Sequence, residues 1–257
     1  MSFNKTYLVT GARRGIGKGI VRALLQQPAT TVIAAVREFS PDTCKILDAL
    51  PKAVESKLII IKIDAAVHSD PAEAMAVLQR DHHIDFIDVV IANAGIAHSG
   101  KPVLQNSMDS ITDHLLVNTL GPVSLLQATA PFLKASKSRS PIFVAISSLV
   151  GSISGMELLA DLPPAVSPYG GSKAALNWFL RRVHFEEPWL IALAIHPGVV
   201  ATDFLAQHDF TPSDDVPGPI RPISVEESVQ GVLERVYSAS RETSGTFQSY
   251  ENHVLPW

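Results

Sequence analysis

Short apolar runs rich in β-branched residues alternate along the chain with longer amphipathic stretches. The apolar runs have the length of strands and predict buried strands at residues 7–10, 31–36, 58–63, 89–92, 142–147 and 191–196. The amphipathic stretches carry apolar positions at helical spacing and predict helices at residues 17–26, 71–80, 111–135, 169–186 and 225–238. The alternation indicates βαβ units, and therefore an α/β fold with a doubly wound parallel sheet covered by helices on both faces.

No internal repeat and no linker rich in Gly, Ser or Pro divides the chain. We therefore expect one nucleotide-binding domain over residues 1–257. Two segments interrupt the alternation, at residues 156–168 and 204–222, and both contain prolines. Long irregular insertions in a compact domain commonly form functional loops, so we expect both to border a substrate site.

Composition removes several classes of function. The chain has 257 residues, of which 46% are hydrophobic and 18% charged, enough for a substantial core. The net charge is −4 and no basic cluster occurs, which argues against nucleic acid as a partner. The apolar runs fall well short of the roughly 18 residues that span a bilayer. One cysteine, Cys44, and a start without a signal-peptide pattern favour a reducing, cytoplasmic setting, and no metal-binding motif is present.

A glycine-rich turn follows the first strand. Its spacing is GxxxGxG, formed by Gly11, Gly15 and Gly17, and a predicted helix begins at its end. Glycines at such a junction allow backbone N–H groups at the helix N-terminus to approach a pyrophosphate. The position favours a dinucleotide site, although a glycine turn without a ligand remains the alternative.

Tyr169 and Lys173 form a YxxxK pair on a predicted helix. Positions i and i+4 share one helical face, so the phenol and the ammonium can act together. A lysine charge beside a tyrosine favours the phenolate and lowers the tyrosine pKa, which suits acid/base chemistry on an alcohol or ketone. By itself the pair is weak, because surface helices carry such pairs by chance.

With Thr10 in front of it, the glycine turn resembles that of the short-chain dehydrogenase/reductase family. The resemblance extends through ordered motifs over nearly the whole chain and implies a Rossmann fold. Asn93-Ala94-Gly95 is similar to the segment that lies along the cofactor in this family. The resemblance implies a catalytic group made of Ser148, Tyr169, Lys173 and Asn118, the last holding a water in a proton relay. The cofactor-binding residues it implies are Gly11, Arg14, Gly15, Ile16, Gly17, Arg37, Asp64, Asn93, Ala94, Gly95, Tyr169, Lys173, Pro197, Gly198, Val200 and Thr202.

The choice between the two nicotinamide cofactors depends on the end of the second strand. Arg37 follows that strand and Arg14 lies within the glycine turn, so two cations converge where a 2′-phosphate would bind, which favours NADPH/NADP. Glu38 would serve NADH if the strand ended one residue later, and a solvated loop arginine is the alternative role for Arg37. Asp64 fits the family's adenine contact, although an aspartate there is often a helix cap.

The chain departs from the common family pattern by an insertion between Ser148 and Tyr169 that contains residues 156–166. This insertion and the C-terminal sequence resemble the carbonyl-reductase branch, which includes fungal norsolorinic-acid ketoreductase-like and bacterial C-factor-like proteins. We expect a wall or lid near the substrate there. His196 either touches the active site or is a satisfied strand histidine.

The predicted function is NADPH-dependent reduction of a ketone or aldehyde with Tyr169 as the proton donor. Apolar residues near the expected pocket favour a largely apolar, polyketide-like substrate; they are Leu149, Val150, Ile153, Met156, Leu158, Leu159, Phe204 and Leu205. The alternatives are an imine, an enone or a cyclising intermediate as substrate, and a non-catalytic NADPH-binding sensor. The resemblance also implies a homodimer or homotetramer through the helices at residues 111–135 and 169–186.

Overall fold

Seven parallel strands form one sheet, whose strands come from positions along the chain between Lys5 and Ser249. The computed structural model describes residues 4–98, 101–138, 140–160, 166–200 and 222–257. The strands of the sheet are β1 Lys5–Thr10, β2 Thr30–Val36, β3 Lys57–Lys62, β4 Val89–Ala92, β5 Ile142–Ile146, β6 Ile191–His196 and β9 Phe247–Ser249, while β7 Val199–Val200 and β8 Pro222–Ile223 pair separately. The order across the sheet is β3-β2-β1-β4-β5-β6-β9.

Helices connect these strands and cover both faces of the sheet. They are α1 Gly15–Leu25, α2 Pro41–Asp48, α3 Asp70–His82, α4 Met108–Leu115, α5 Gly121–Lys134, α6 Ser167–Glu186 and α7 Val225–Tyr237. A π-helical turn, Leu116–Leu120, joins α4 to α5, and short 3₁₀ turns occupy Val103–Gln105, Leu149–Gly151 and Met156–Leu159. The predicted doubly wound α/β fold is therefore confirmed.

The core consists of two apolar layers, one on each face of the sheet. Successive strand residues point to opposite faces, so Tyr7 and Val9 belong to one layer and Leu8 to the other. Strands buried on both faces consist mostly of apolar residues, which explains the nearly continuous apolar runs in the sequence. All seven residues of β2, Thr30–Val36, are buried.

The six predicted strands are all present, and most of their ends shift by one residue or less. Several elements differ from the sequence prediction. Helix α2 and strands β7, β8 and β9 were not predicted, and the single helix expected over residues 111–135 is interrupted by the π turn. Pro122 accounts for part of this interruption, because it has no N–H to donate to the Asn118 carbonyl four residues earlier.

The direction of chain progression across the sheet reverses between β1 and β4. Strands β2 and β3 lie on one side of β1, and β4, β5 and β6 lie on the other. In open α/β sheets the crevice at the carboxyl ends of the strands beside such a switch point is the usual ligand site. The residues that end β1, β4, β5 and β6 therefore converge on one edge.

Some sequence predictions fall outside the described residues. They are Thr202, Phe204, Leu205, residues 204–221 of the loop predicted over residues 204–222, and residues 161–165 of the predicted insertion. The described part of that insertion contains the 3₁₀ turn Met156–Leu159, and α6 begins at Ser167, two residues before Tyr169. None of the helices in the described ranges combines the length and the apolar character needed to cross a membrane.

Candidate active site

A cleft of about 1310 Å³ opens along the carboxyl edge of the sheet. Most of the predicted site residues line it together: Gly11, Arg14, Gly15, Ile16, Arg37, Asp64, Asn93, Ala94, Gly95, Ser148, Tyr169, Lys173, Pro197, Gly198 and Val200. Gly17 and Asn118 are buried beside it. The structure thus gathers residues that are up to 189 positions apart in sequence, from Gly11 to Val200, around one cavity.

The two serines at the end of β5 have different surroundings. The Ser147 hydroxyl donates to the side-chain oxygen of Asn177 at 2.6 Å and is buried. The Ser148 hydroxyl accepts from the N–H of Val150 at 3.3 Å and hydrogen-bonds to the Tyr169 side chain. Of the two, Ser148 is the one that faces the phenol.

Tyr169 is half-buried and lines the cleft. Burial raises the pKa of Tyr169 to about 12, and the hydrogen bond from Ser148 offsets part of this rise by favouring the phenolate. The YxxxK spacing predicted that Lys173 lowers the pKa of Tyr169, whereas in the structure burial raises it. The phenol is consequently protonated near neutral pH, the form required of a proton donor.

Lys173 is buried beneath the tyrosine. Its Nζ lies 5.6 Å from the centroid of the Tyr169 ring and donates to the carbonyl oxygen of Ile146 at 2.7 Å. Burial lowers the pKa of Lys173 to about 7, because the charged form loses its hydration. An amine with this pKa can both accept and release a proton near neutral pH.

Asn118 lies in the π turn between α4 and α5. Its amide hydrogens go to the Ile96 carbonyl at 2.8 Å and to the Ser172 hydroxyl at 3.0 Å, and its amide oxygen accepts from the N–H of Ile96 at 2.8 Å. The side chain therefore ties the loop after β4 to the start of α6. Pro122, four residues further on, has no N–H to donate to the Asn118 main-chain carbonyl.

The glycine turn has backbone conformations and close contacts that favour glycine. Gly11 has φ of +66° and Gly15 has φ of +55°, a region that residues with a side chain rarely adopt. A Cβ on Gly17 would lie 2.3 Å from the Gly11 carbonyl oxygen, so only glycine allows the turn to fold this tightly. Helix α1 starts at Gly15 without a side-chain cap from Arg14, which leaves its N-terminal end suited to an anion.

Thr10 joins the glycine turn to the Asn93-Ala94-Gly95 segment. Its hydroxyl accepts from the backbone N–H groups of Asn93 and Ala94, both at 3.0 Å. The Asn93 amide donates back to the Thr10 carbonyl at 2.9 Å. The two segments that line the middle of the cleft are therefore held as one unit.

The far end of the cleft is lined by charged side chains. Strand β2 ends at Val36, so Arg37 is the first residue beyond it, and both Arg37 and Glu38 are exposed. Arg13 and Lys18 line the same cleft. With Arg14, three arginines and a lysine therefore line the cleft together with the carboxylates of Glu38 and Asp64.

Asp64 follows β3 and organises a local turn. Its carboxylate accepts from the N–H of Ala66 at 3.0 Å, and its own N–H donates to Asp70 at 2.8 Å. Helix α3 is preceded by Ser69 at its N-cap, so the alternative role of Asp64 as a cap of that helix is wrong. Asp64 nevertheless lines the cleft beside Ala65.

Sequence reasoning missed several residues near the catalytic group. Asn177 was not singled out, although it lies four residues after Lys173 on the same face of α6, where a buried polar residue is a usable signal. His98 and Asp113 also line the cleft and carried no recognisable motif. His196 lines the cleft and is also satisfied, because its Nδ1 accepts from the N–H of Leu149 at 3.3 Å.

Comparisons with known proteins agree with this architecture. The sequence model described as short chain dehydrogenase matches residues 5–211. The norsolorinic acid ketoreductase of Dothistroma septosporum is 39% identical over 254 residues, which cover 98% of this chain and 92% of that protein. The norsolorinic acid ketoreductase of Emericella nidulans is 37% identical over 255 residues, which cover 98% and 93%. The structure of NADPH-bound carbonyl reductase from chicken fatty liver is similar with a TM-score of 0.83, at 28% identity and with 100% of both chains covered.

Proposed function

The chain belongs to the short-chain dehydrogenase family. We propose that this oxidoreductase of carbonyl and alcohol groups, which works with a nicotinamide cofactor, is an NADPH-dependent ketoreductase. The observation that carries the proposal is the contact of Ser148 with Tyr169 above the buried Lys173, at the edge where the glycine turn also lies. A binding protein without catalysis has no need of a buried, protonated phenol in the cleft.

The proposed chemistry divides the work between two hydroxyl groups. The nicotinamide, when bound, supplies the hydride for the carbonyl carbon. Tyr169 donates its phenolic proton to the carbonyl oxygen, and Ser148 donates a hydrogen bond to the same oxygen as negative charge develops there. Lys173 then returns a proton to the phenolate, since its lowered pKa makes it a ready proton source. Hydride and proton together convert the carbonyl to an alcohol.

The residues that would hold the cofactor are those of the glycine turn, Asp64, the Asn93-Ala94-Gly95 segment and Pro197-Gly198-Val200. NADPH rather than NADH is proposed because Arg37 directly follows β2 and Arg13, Arg14 and Lys18 line the same end of the cleft. A 2′-phosphate carries charge that these cations can neutralise with charge-assisted hydrogen bonds. The bound cofactor in the chicken carbonyl reductase structure is NADPH, which supports the same choice.

An apolar substrate is proposed from the wall around Ser148 and Tyr169. Leu149, Val150, Leu159 and Val166 line the cleft there. Of the other residues expected in this wall, Ile153 and Met156 are exposed, and the side chain of Leu158 lies outside the described part of the chain. The two ketoreductases described above are named for norsolorinic acid as their substrate. This supports a polyketide-like aryl ketone as the substrate class.

We also propose a homodimer or homotetramer that forms through α6. Trp178 and Phe185 of this helix are 62% and 59% exposed. Large apolar side chains at this exposure favour a protein partner, here a second copy of the chain. Sedimentation velocity of the wild type and of a Trp178→Lys variant tests this part of the proposal.

The catalytic proposal is tested with Tyr169→Phe, which removes the phenolic hydroxyl and keeps the ring. The wild type is titrated with NADPH by fluorescence and then given a ketone panel that includes phenanthrenequinone and trifluoroacetophenone, with NADPH oxidation as the readout. We expect Tyr169→Phe to lower kcat by about 10²- to 10⁴-fold, the usual contribution of a general acid, with little change in the Kd for NADPH. Retained turnover in this variant contradicts the proposed proton donor.

The two rival functions give other results in the same experiment. A sensor binds NADPH tightly and oxidises it with none of the carbonyl compounds. An enzyme for imines or enones oxidises NADPH with members of those classes and not with the matching ketones.

A further inference from the structure

The turn that carries Ser148 is held in place by side chains from two other elements. Ser148 precedes the 3₁₀ turn Leu149–Gly151 and has extended backbone angles. Within the turn, the Gly151 N–H donates to the Ser148 carbonyl at 2.9 Å, and the Val150 N–H donates to the Ser148 hydroxyl. These local bonds shape the turn, but they do not fix its place relative to Tyr169 on α6.

Asn177 provides one of the connections to the rest of the fold. It lies on α6 four residues beyond Lys173 and is 3% exposed. Its side-chain oxygen accepts from the Ser147 hydroxyl at 2.6 Å, and its amide group donates to the Gly151 carbonyl at 3.3 Å. One side chain therefore holds the residue before Ser148 and the last residue of the turn.

His196 provides the other connection, from the end of β6. Its Nδ1 accepts from the N–H of Leu149, the residue after Ser148. This contact requires an imidazole without a proton on Nδ1. Burial, helped by nearby His253, lowers the pKa of His196 to about 4, so the ring is neutral and can accept at physiological pH. Ser148 is thus flanked on both sides by residues bound to separate elements.

The close packing of the turn on α6 makes its position sensitive. A Cβ on Gly151 would lie 2.7 Å from the Cβ of Lys173, so the turn rests directly on the helix that carries the tyrosine and lysine. Displacement of a reacting group by about 1 Å costs on the order of 10²-fold in rate. Asn177 and His196 both hold this turn, whose displacement would separate the Ser148 and Tyr169 hydroxyls.

We propose that Asn177 and His196 are positioning residues that hold Ser148 against Tyr169. This inference rests on the proposed function, because it assigns Ser148 a part in turnover. Its distinguishing consequence is that both residues act through Ser148. Removing the serine hydroxyl should therefore remove most of their effect.

Double-mutant cycles test this dependence. Asn177→Leu and His196→Leu remove the two connections, His196→Asn restores an acceptor near the position of Nδ1, and each is made with and without Ser148→Ala. Turnover of NADPH with phenanthrenequinone and trifluoroacetophenone is measured beside the Kd for NADPH. Thr129→Val is the control, since it removes a buried hydroxyl that donates at 2.8 Å to the Leu125 carbonyl within α5.

We expect each leucine variant to lower kcat by about 10- to 100-fold with the Kd for NADPH unchanged within about 3-fold, and we expect His196→Asn to recover most of the loss. In the Ser148→Ala background the same substitutions should change kcat by less than about 3-fold. If each leucine substitution lowers kcat by the same factor with and without Ser148→Ala, the positioning role is overturned while the proposed function stands. A loss of kcat in Thr129→Val as large as that in the leucine variants overturns the positioning role as well. An unchanged kcat in Ser148→Ala by itself overturns both the positioning role and the serine's part in the proposed function.

Discussion

The Nζ of Lys173 donates to the main-chain carbonyl of Ile146 at 2.7 Å, in a site where the lysine is 4% exposed. Ile146 is the last residue of β5, so this bond joins the helix of the YxxxK pair to the strand that leads to Ser148. One carbonyl dipole compensates only part of the hydration that a buried ammonium loses. The lowered pKa of Lys173 follows from this imbalance and makes the stability of the protein depend on pH.

The first prediction concerns that pH dependence. The pKa of Lys173 is about 7 in the folded protein and 10.5 for an ordinary lysine, so between these values the unfolded chain binds more protons. The free energy of unfolding should therefore rise as pH rises from 7 to 10.5, and the lysine's destabilising effect should be constant below pH 7. Lys173→Met removes this titrating group. The difference in free energy of unfolding between Lys173→Met and the wild type should therefore decrease by about 2–3 kcal/mol between pH 7 and pH 9.5.

Urea unfolding at several pH values, without added nucleotide, measures this difference. Lys45→Met is the matched control, because Lys45 is exposed on α2 and should give the same curve as the wild type. A stability difference between Lys173→Met and the wild type that stays constant across this range would show that Lys173 keeps its ordinary pKa.

The second prediction compares two adjacent glycines of α6. A Cβ at Gly170 would lie 2.9 Å from the Val150 carbonyl oxygen, whereas a Cβ at Gly171 would meet nothing within 4 Å. Gly171→Ala should raise the free energy of unfolding by about 0.5–1 kcal/mol through helix propensity, with kcat unchanged. Gly170→Ala gains the same propensity but pushes the serine turn away from the helix, so kcat should fall by about 10-fold or more.

Steady-state kinetics and urea unfolding of the two alanine variants, side by side, make this comparison. The two variants have the same composition, so a difference between them reports local packing. Equal kcat values in both would mean that the turn can move away from α6 without affecting catalysis.

The sequence predicted the sheet well because buried parallel strands leave a simple pattern. Val89–Ala92 appears with the predicted bounds, since its apolar run is bordered by the polar residues Asp88 and Asn93. Ile191–His196 also appears with the predicted bounds. Helix α2 was missed because it has eight residues and a short apolar pattern. Strand β9 was missed because it has three residues and gains its stability from pairing with β6.

The chemistry of the site was less predictable than its membership. The spacing of Tyr169 and Lys173 placed both on one face of a helix, and the structure has them there. It could not give the direction of the pKa shifts, because these depend on burial under residues distant in sequence. The contacts of Asn177 with Ser147 and of His196 with Leu149 join different elements, and no local pattern records such contacts.

The third prediction concerns the π turn around Asn118. Pro122→Ala introduces an N–H that can donate to the Asn118 carbonyl, as in a regular α-helix. If that carbonyl holds the water of the proton relay, the new donor competes for it and kcat should fall by about 10-fold. Pro131→Ala is the control, because Pro131 is an exposed proline inside α5, beyond the π turn, and its replacement should leave kcat unchanged.

Solvent isotope effects on kcat for these proline variants separate proton transfer from substrate binding. A larger isotope effect in Pro122→Ala than in the wild type is the expected sign of a slowed relay. Identical kcat values and isotope effects for Pro122→Ala and the wild type would show that the main chain of Asn118 has no part in it.

The fourth prediction concerns the choice of cofactor. Arg37→Gln removes one of the cations proposed to bind the 2′-phosphate and leaves a polar, exposed side chain. A hydrogen bond to a charged group contributes about 1.5–3 kcal/mol, so the Kd for NADPH should rise by about 10- to 150-fold. The Kd for NADH, which has no 2′-phosphate, should change by less than about 2-fold, because Arg37 has no charged group to meet there. Fluorescence titration with both nucleotides measures the two constants.

Arg80→Gln is the control for loss of charge, since Arg80 is exposed at the end of α3 and paired with Asp81. Glu38→Gln tests the opposite preference. If Glu38→Gln weakens the binding of NADH and Arg37→Gln leaves the Kd for NADPH unchanged, the protein prefers NADH, and Glu38 binds the ribose hydroxyls.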